Sequence, residues 1–76
     1  MWYVYLLRCS DNTLYCGITN DLVKRIAKHN NKKGAKYTRG RTPVILIKSF
    51  EWLTKSEALK EEHRIKKLSR QEKLEL

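Results

Sequence analysis

The chain opens with an apolar, aromatic, β-favouring run from Trp2 to Cys9, breaks at Ser10-Asp11-Asn12, and resumes the pattern from Thr13 to Ile18. This predicts a β-hairpin. A three-residue loop, a type I turn closed by a left-handed residue, fits because Asn12 tolerates positive φ better than most non-glycine residues. In that register Cys9 pairs with Thr13, Tyr15 stands opposite Leu7, and Tyr5 and Tyr15 project from one side of the sheet. A two-residue Asp11-Asn12 turn would put them on opposite faces.

Asn20 is a plausible helix N-cap and Asp21 complements the helix dipole. Leu22, Val23, Ile26 and Ala27 then give a one-sided apolar stripe that ends near Asn30-Asn31. The segment Lys32 to Thr42 combines Gly34, Gly40 and the following Pro43 with basic residues and reads as an exposed loop. Val44-Ile45-Leu46-Ile47, continuing to Phe50, is a β-branched run typical of a strand buried on both faces, and it is placed third and central in the sheet. Thr54-Lys55-Ser56-Glu57 has the form of a capping box and opens a second helix carrying Ala58, Leu59, Ile65 and Leu68. Ser69-Arg70-Gln71-Glu72 repeats that form and starts a short third helix. The expected fold is α+β, a small three-stranded antiparallel sheet with flanking helices in the order β-β-α-β-α-α, filling residues 1–76 as a single domain.

Composition adds a direction. Seventeen Lys and Arg against 8 Asp and Glu give a net charge of +9, which favours a polyanionic partner. The charge is also unevenly placed: no acid occurs from Leu22 to Phe50, where Lys24, Arg25, Lys28, Lys32, Lys33, Lys36, Arg39, Arg41 and Lys48 all lie. That stretch, with Tyr37 inside it, is a candidate phosphate-binding face; the plain alternative is a solubilising lysine-rich surface. Cys9 and Cys16 are too few for a disulfide framework and are not spaced as a zinc pair. With no leader and no long apolar run, a soluble cytoplasmic protein that does not engage membrane is expected.

Arg25 and His29, four residues apart, share one helical face. A guanidinium can neutralise charge on a reacting phosphate and an imidazole can help move a proton, although such a pair on a helix is commonly a solvated bystander. Glu62 borders the inward face of the second helix, where a carboxylate needs a base or a hard cation, and Glu61 flanks the same stripe on its other side. Periodicity does not separate the two. Any one of Tyr3, Tyr5, Tyr15 and Tyr37 could equally be packing material. A histidine-metal site on His29 and His63 lacks a third ligand at suitable spacing.

Taken in order, these positions resemble the GIY-YIG endonuclease superfamily. Tyr3-Val4-Tyr5 stands where that family has Gly-Ile-Tyr, and Tyr15-Cys16-Gly17 where it has Tyr-Ile-Gly. Arg25 follows Tyr15 by ten positions on the first helix, and Glu62 precedes Ile65-Lys66 on the second, where the family's metal-binding glutamate is expected; His29 matches a position occupied by His or Tyr. The resemblance covers essentially the whole chain and is strongest to small stand-alone bacterial members, including Gly34-Ala35-Lys36-Tyr37-Thr38-Arg39 and Ile65-Lys66-Lys67-Leu68-Ser69-Arg70. It departs at Tyr3, which replaces the first motif glycine, at Ile18, where excision-repair relatives carry lysine, and after Glu62, where the late asparagine of other members is missing.

The resemblance implies a nuclease that hydrolyses phosphodiesters in DNA rather than RNA, with low intrinsic sequence specificity, selectivity for DNA structure and a link to repair or recombination. It implies Tyr5, Tyr15, Arg25, His29 and Glu62 as catalytic residues and Glu62 as the ligand of one Mg²⁺ or Mn²⁺. Lys24, Lys28, Lys32, Lys33, Lys36, Tyr37, Arg39 and Arg41 would hold nucleic acid, and a protein partner could supply specificity. The competing readings are a binding module of the same fold without turnover and a basic patch that docks an acidic protein.

Overall fold

Hydrophobic alternation in the first half of the chain and helical periodicity in the second are resolved in a computed structural model that describes residues 1–76. Its elements are β1 Trp2–Arg8, β2 Leu14–Thr19, α1 Leu22–Asn30, α2 Lys36–Arg39, β3 Ile45–Trp52, α3 Lys55–Lys66 and α4 Arg70–Leu74. The strands form one antiparallel sheet in the order β2-β1-β3.

The hairpin has the three-residue loop. The Cys9 N–H donates to the Thr13 carbonyl at 2.8 Å, the Asn12 N–H donates to the Cys9 carbonyl, and Asn12 takes φ 68°. The Asp11 carboxylate accepts from both the N–H and the hydroxyl of Thr13, which fixes the turn. Tyr15 therefore pairs with Leu7 and Gly17 with Tyr5, so both tyrosines face one side.

Strand alternation divides the sheet into two faces of different character. On one, Val4, Leu6 and Cys16 pack against Ala58 and Ile65 of α3, with Trp2, Ile18, Ile47, Phe50, Trp52 and Leu76 around them. On the other, Tyr5, Leu7, Cys9 and Val44 pack with Tyr15 and with Leu22 and Ile26 of α1. Both predicted capping boxes are present, at Thr54 with Glu57 and at Ser69 with Glu72.

Five expectations change, the last in the segment after α1. The β3 strand lies at an edge, not at the centre, and Ile45 and Leu46 are exposed. The strand runs from Ile45 to Trp52, directly after the buried Val44, and a register shift opposite Leu6 and Leu7 interrupts the alternation. The central place belongs to β1, which pairs on both sides. Asp21, not Asn20, caps α1 by accepting from the Lys24 N–H. The α1 stripe is rotated: Val23 is 81% exposed and Ala27 is exposed, while Leu22, Arg25, Ile26 and His29 turn inward. In α3, likewise, Leu59 is 45% exposed.

The Lys32–Thr42 segment is not merely a loop, because α2 forms within it and the segment is tied to the rest of the molecule. The Ser10 N–H donates to the Arg41 carbonyl, Arg41 pairs with Asp11 at 2.9 Å, and the Asn30 amide both donates to the Val44 carbonyl and accepts from its N–H. These long-range bonds do not show in local composition. They hold α2 over the α1 side of the sheet, where the polar residues gather.

Candidate active site

Four of the five residues expected to act together come into direct contact. The Tyr5 hydroxyl lies 2.9 Å from His29 Nε2 and accepts from the Arg25 Nε–H at 3.3 Å. The rings of Tyr5, Tyr15 and His29 form a triangle with centroid separations of 6.3, 5.9 and 5.3 Å. Strand register delivers the two tyrosines, and one helical turn delivers Arg25 and His29.

Two glycines make room for this packing. A Cβ on Gly17 would stand 2.5 Å from Tyr5 Oη and 3.1 Å from Tyr15 Cε2. The Tyr5 ring thus lies across the edge strand β2 in space that any side chain would fill. The missing side chain at Gly17 seats the phenol. A Cβ on Gly34 would meet His29 Nδ1 at 2.5 Å, so the turn before α2 closes tightly on the imidazole.

Burial sets the protonation states. The Tyr5 phenol is pushed up to about 12, chiefly by desolvation and against the hydrogen bond from Arg25, so it is neutral at physiological pH. The His29 imidazole is pulled down to about 4, first by desolvation and then by the Arg25 charge, so it too is neutral. Arg25 is the fixed cation of the cluster, and its hydrogen bond to Tyr5 raises its affinity for the proton further. A neutral imidazole beside a phenol is a hydrogen-bond acceptor or donor according to its tautomer.

Glu62 is not hydrogen-bonded to the four. It lies on α3, the layer that packs against the opposite face of the sheet. Its charge nevertheless reaches the Tyr5 phenol and opposes its ionisation. The structure also separates Glu62 from Glu61. Glu61 is engaged by the Nε and Nη2 groups of Arg64, whereas Glu62 meets only the exposed Lys66 ammonium, at 3.5 Å, with its own side chain 17% exposed. The Glu62 oxygens are the more available to a cation. No three His, Cys, Asp or Glu side chains gather as a metal cluster, so any ion here would depend on one carboxylate, water and substrate oxygens, a set that Mg²⁺ accepts.

The basic residues lie on α1, on α2 and on the turn between them, the segments that also carry Arg25, His29 and Tyr37. Lys24, Arg25 and Lys28 line a shallow depression with Thr19, Asn20 and Asp21. Lys32, Lys33, Lys36 and Arg39 are exposed on the following turn and on α2, and none of Lys24, Lys28, Lys32, Lys33, Lys36 or Arg39 has an acidic partner. Arg41 is different. It pairs with Asp11, donates to the Tyr37 carbonyl at 2.8 Å, and lays its guanidinium 4.1 Å from the Tyr37 ring centroid. Tyr37 in turn stacks on Tyr15 at 5.9 Å and 25°. These two residues form a wall beside Tyr15 before any ligand arrives.

One participant was not singled out by the sequence. Thr38 is completely buried, and its hydroxyl lies 2.7 Å from His29 Nδ1 and 2.9 Å from the Ala35 carbonyl. A threonine in a lysine-rich segment carries no periodic signal of burial.

Comparison with known proteins bears on the family and the fold. The model of the GIY-YIG catalytic domain matches residues 1–75. The chain is 54% identical to the UPF0213 protein SSP2268 of Staphylococcus saprophyticus, over 97% of this chain and 90% of the relative. It is 53% identical to UPF0213 protein VNG_2274C of Halobacterium salinarum, over 96% and 95%. The solution NMR structure of the UPF0213 protein BH0048 from Bacillus halodurans superposes with a TM-score of 0.61 at 46% identity, covering 99% of this chain and 81% of that one. The protein EF2693 of E. faecalis gives 0.62 at 41% identity, over 95% and 78%. A family model that spans nearly every residue, relatives above half identity and a shared fold lead to one conclusion: the chain belongs to the GIY-YIG catalytic domain family.

Proposed function

We propose that the protein is a divalent-metal-dependent nuclease that hydrolyses phosphodiester bonds in DNA, with low sequence specificity and selectivity for DNA structure. The observation that carries this reading is the Tyr5 hydroxyl held between Arg25 and His29 beside Tyr15, on the side of the molecule where six cations stand without acidic partners. Arg25 neutralises charge on the phosphate and holds the Tyr5 oxygen. The hydroxyls of Tyr5 and Tyr15 orient the attacking water, and His29 takes up the proton that Tyr5 gives when its oxygen accepts one from that water. Glu62 would hold Mg²⁺ or Mn²⁺, which supplies Lewis-acid charge to the phosphate when bound. Lys24, Lys28, Lys32, Lys33, Lys36 and Arg39 bind the DNA backbone without reading bases, which suits a role in repair or recombination alongside a partner that selects the site.

The test incubates the purified chain with supercoiled plasmid, single-stranded DNA and branched junctions, in Mg²⁺, Mn²⁺ or EDTA, beside Glu62→Gln and Arg25→Ala. Cleavage that needs the metal and falls at least a hundredfold in both variants is expected, the scale for losing a principal charge-stabilising group. Cleavage in EDTA, or full activity in either variant, would refute the mechanism. The lack of any hydrogen bond from Glu62 to the other four favours a second reading, a binding module without turnover. In that case DNA binding persists in Glu62→Gln and no condition gives cleavage.

A further inference from the structure

His29 joins two partners through its two ring nitrogens, and the partners differ in what they can donate. Toward Tyr5, either group could supply the hydrogen. Toward Thr38, the choice is narrower. The Thr38 hydroxyl has a single hydrogen, and it lies 2.9 Å from the Ala35 carbonyl, which has none to give. The hydrogen between Thr38 and Ala35 therefore comes from Thr38. The 2.7 Å contact between Thr38 and His29 is then closed by a hydrogen on Nδ1.

We propose that Thr38 is a positioning residue for the nuclease reaction: by spending its one hydrogen on the Ala35 carbonyl, it fixes His29 as the Nδ1–H tautomer and leaves Nε2 as the acceptor for the Tyr5 hydroxyl. The chain of donors then runs one way. Arg25 Nε–H donates to Tyr5 Oη, Tyr5 O–H to His29 Nε2, His29 Nδ1–H to Thr38 Oγ1, and Thr38 O–H to the Ala35 carbonyl. In the opposite tautomer Nε2–H would donate to Tyr5, and the phenol could pass no proton to the ring. Burial favours a fixed arrangement, since His29 and Thr38 are both fully inaccessible and a Cβ at Gly34 would strike Nδ1. The groups facing the imidazole are Tyr5, Tyr15, Arg25, Thr38 and Gly34, and Arg25 is the one charge among them. The depressed proton affinity of the ring keeps it neutral, as a tautomer choice requires. A catalytic consequence rests on the nuclease reading above; the tautomer itself does not.

The experiment uses the full chain labelled with ¹⁵N and long-range proton–nitrogen correlation of the two histidine rings, with the exposed His63 as the internal reference for an unconstrained imidazole. Wild type and Thr38→Ser, which keeps the hydroxyl, are expected to show His29 as Nδ1–H alone. Thr38→Val keeps the shape without the hydroxyl and is expected to move His29 to Nε2–H or to a mixture. Its cleavage kcat should drop tenfold or more with KM unchanged, and Thr38→Ser should restore both. Nε2–H in the wild type overturns the proposal even if the valine variant does not fold, and so does an unshifted tautomer or an unchanged kcat in a folded valine variant. A chain without nuclease activity refutes the function proposed above, while the nitrogen spectra still decide the tautomer.

Discussion

The two faces of the sheet are built by the same three strands and differ in almost everything else. Under α3 the interior is apolar: Val4, Leu6, Cys16, Ala58 and Ile65 meet with no polar side chain among them. Under α1 and α2 the buried groups include a phenol, an imidazole and a threonine hydroxyl, each satisfied by another. Burying polar groups costs stability unless every one is paired, so the second face is held together by geometry where the first is held by area. One strand, β1, serves both, with Val4 and Leu6 on one side and Tyr5 and Leu7 on the other. Folding and chemistry are thereby separated by a single residue of alternation.

This contrast predicts that mutations on the two faces fail differently. The largest effect is expected from Tyr5→Phe, which removes the hydroxyl that Arg25 and His29 share. Cleavage should fall by about 10² to 10⁴-fold, the range for losing a positioned proton-transfer group, while stability drops by only about 1 to 3 kcal/mol from the unpaired partners. Equal losses of activity and stability would break the contrast. Ile65→Ala should do the reverse, costing roughly 2 to 5 kcal/mol by chemical denaturation with unchanged cleavage per folded molecule.

The next effect is a pH dependence confined to the polar face. His29 has its proton affinity lowered from 6.5 to about 4 on folding, so between those values the unfolded chain binds the proton and the folded chain does not. Stability is fully present above pH 6.5 and falls as the pH drops toward 4, by about 3 kcal/mol if desolvation acts in full. In His29→Gln that slope should vanish, and acid titration monitored by circular dichroism measures it; the same slope in the variant would assign it elsewhere. The smallest effect is expected from Gly17→Ala, whose added methyl displaces the Tyr5 ring and should cost about 1 to 3 kcal/mol. Its cleavage should fall further than its stability, because the phenol is moved from Arg25.

Much of the fold could be read along the chain because its signals are local. Asn12 in the turn, the capping boxes at Thr54 and Ser69 and the alternation through Tyr5 and Tyr15 each depend on neighbours a few residues away. The misplacements share a cause. The β3 strand reads as buried because Ile45 and Leu46 are apolar, but a three-stranded sheet has only one central strand, and the hairpin partner β1 takes it. Val23 and Ala27 read as the inward face of α1 because they are apolar, whereas the helix turns Arg25 and His29 inward to meet Tyr5. A hydrophobic count places functional polar residues outside when the fold needs them inside. Thr38 was invisible for a related reason, since its value lies in two long-range contacts and not in its type. The choice between Glu61 and Glu62, equal by periodicity, came from the family resemblance and not from the residues themselves; in the structure Arg64 occupies Glu61.

The division between the faces also gives each its own reporter. Cys9 and Cys16 are free thiols, and they are buried in different clusters. Desolvation raises both, Cys16 to about 11, so neither presents a reactive thiolate while its surroundings are closed. Thiol labelling therefore measures opening rates: Cys9 reports the chemical face and Cys16 the structural one. Equal protection would mean the two halves open as one cooperative unit, and faster labelling at Cys9 would mean that the half under α1 and α2 breathes alone.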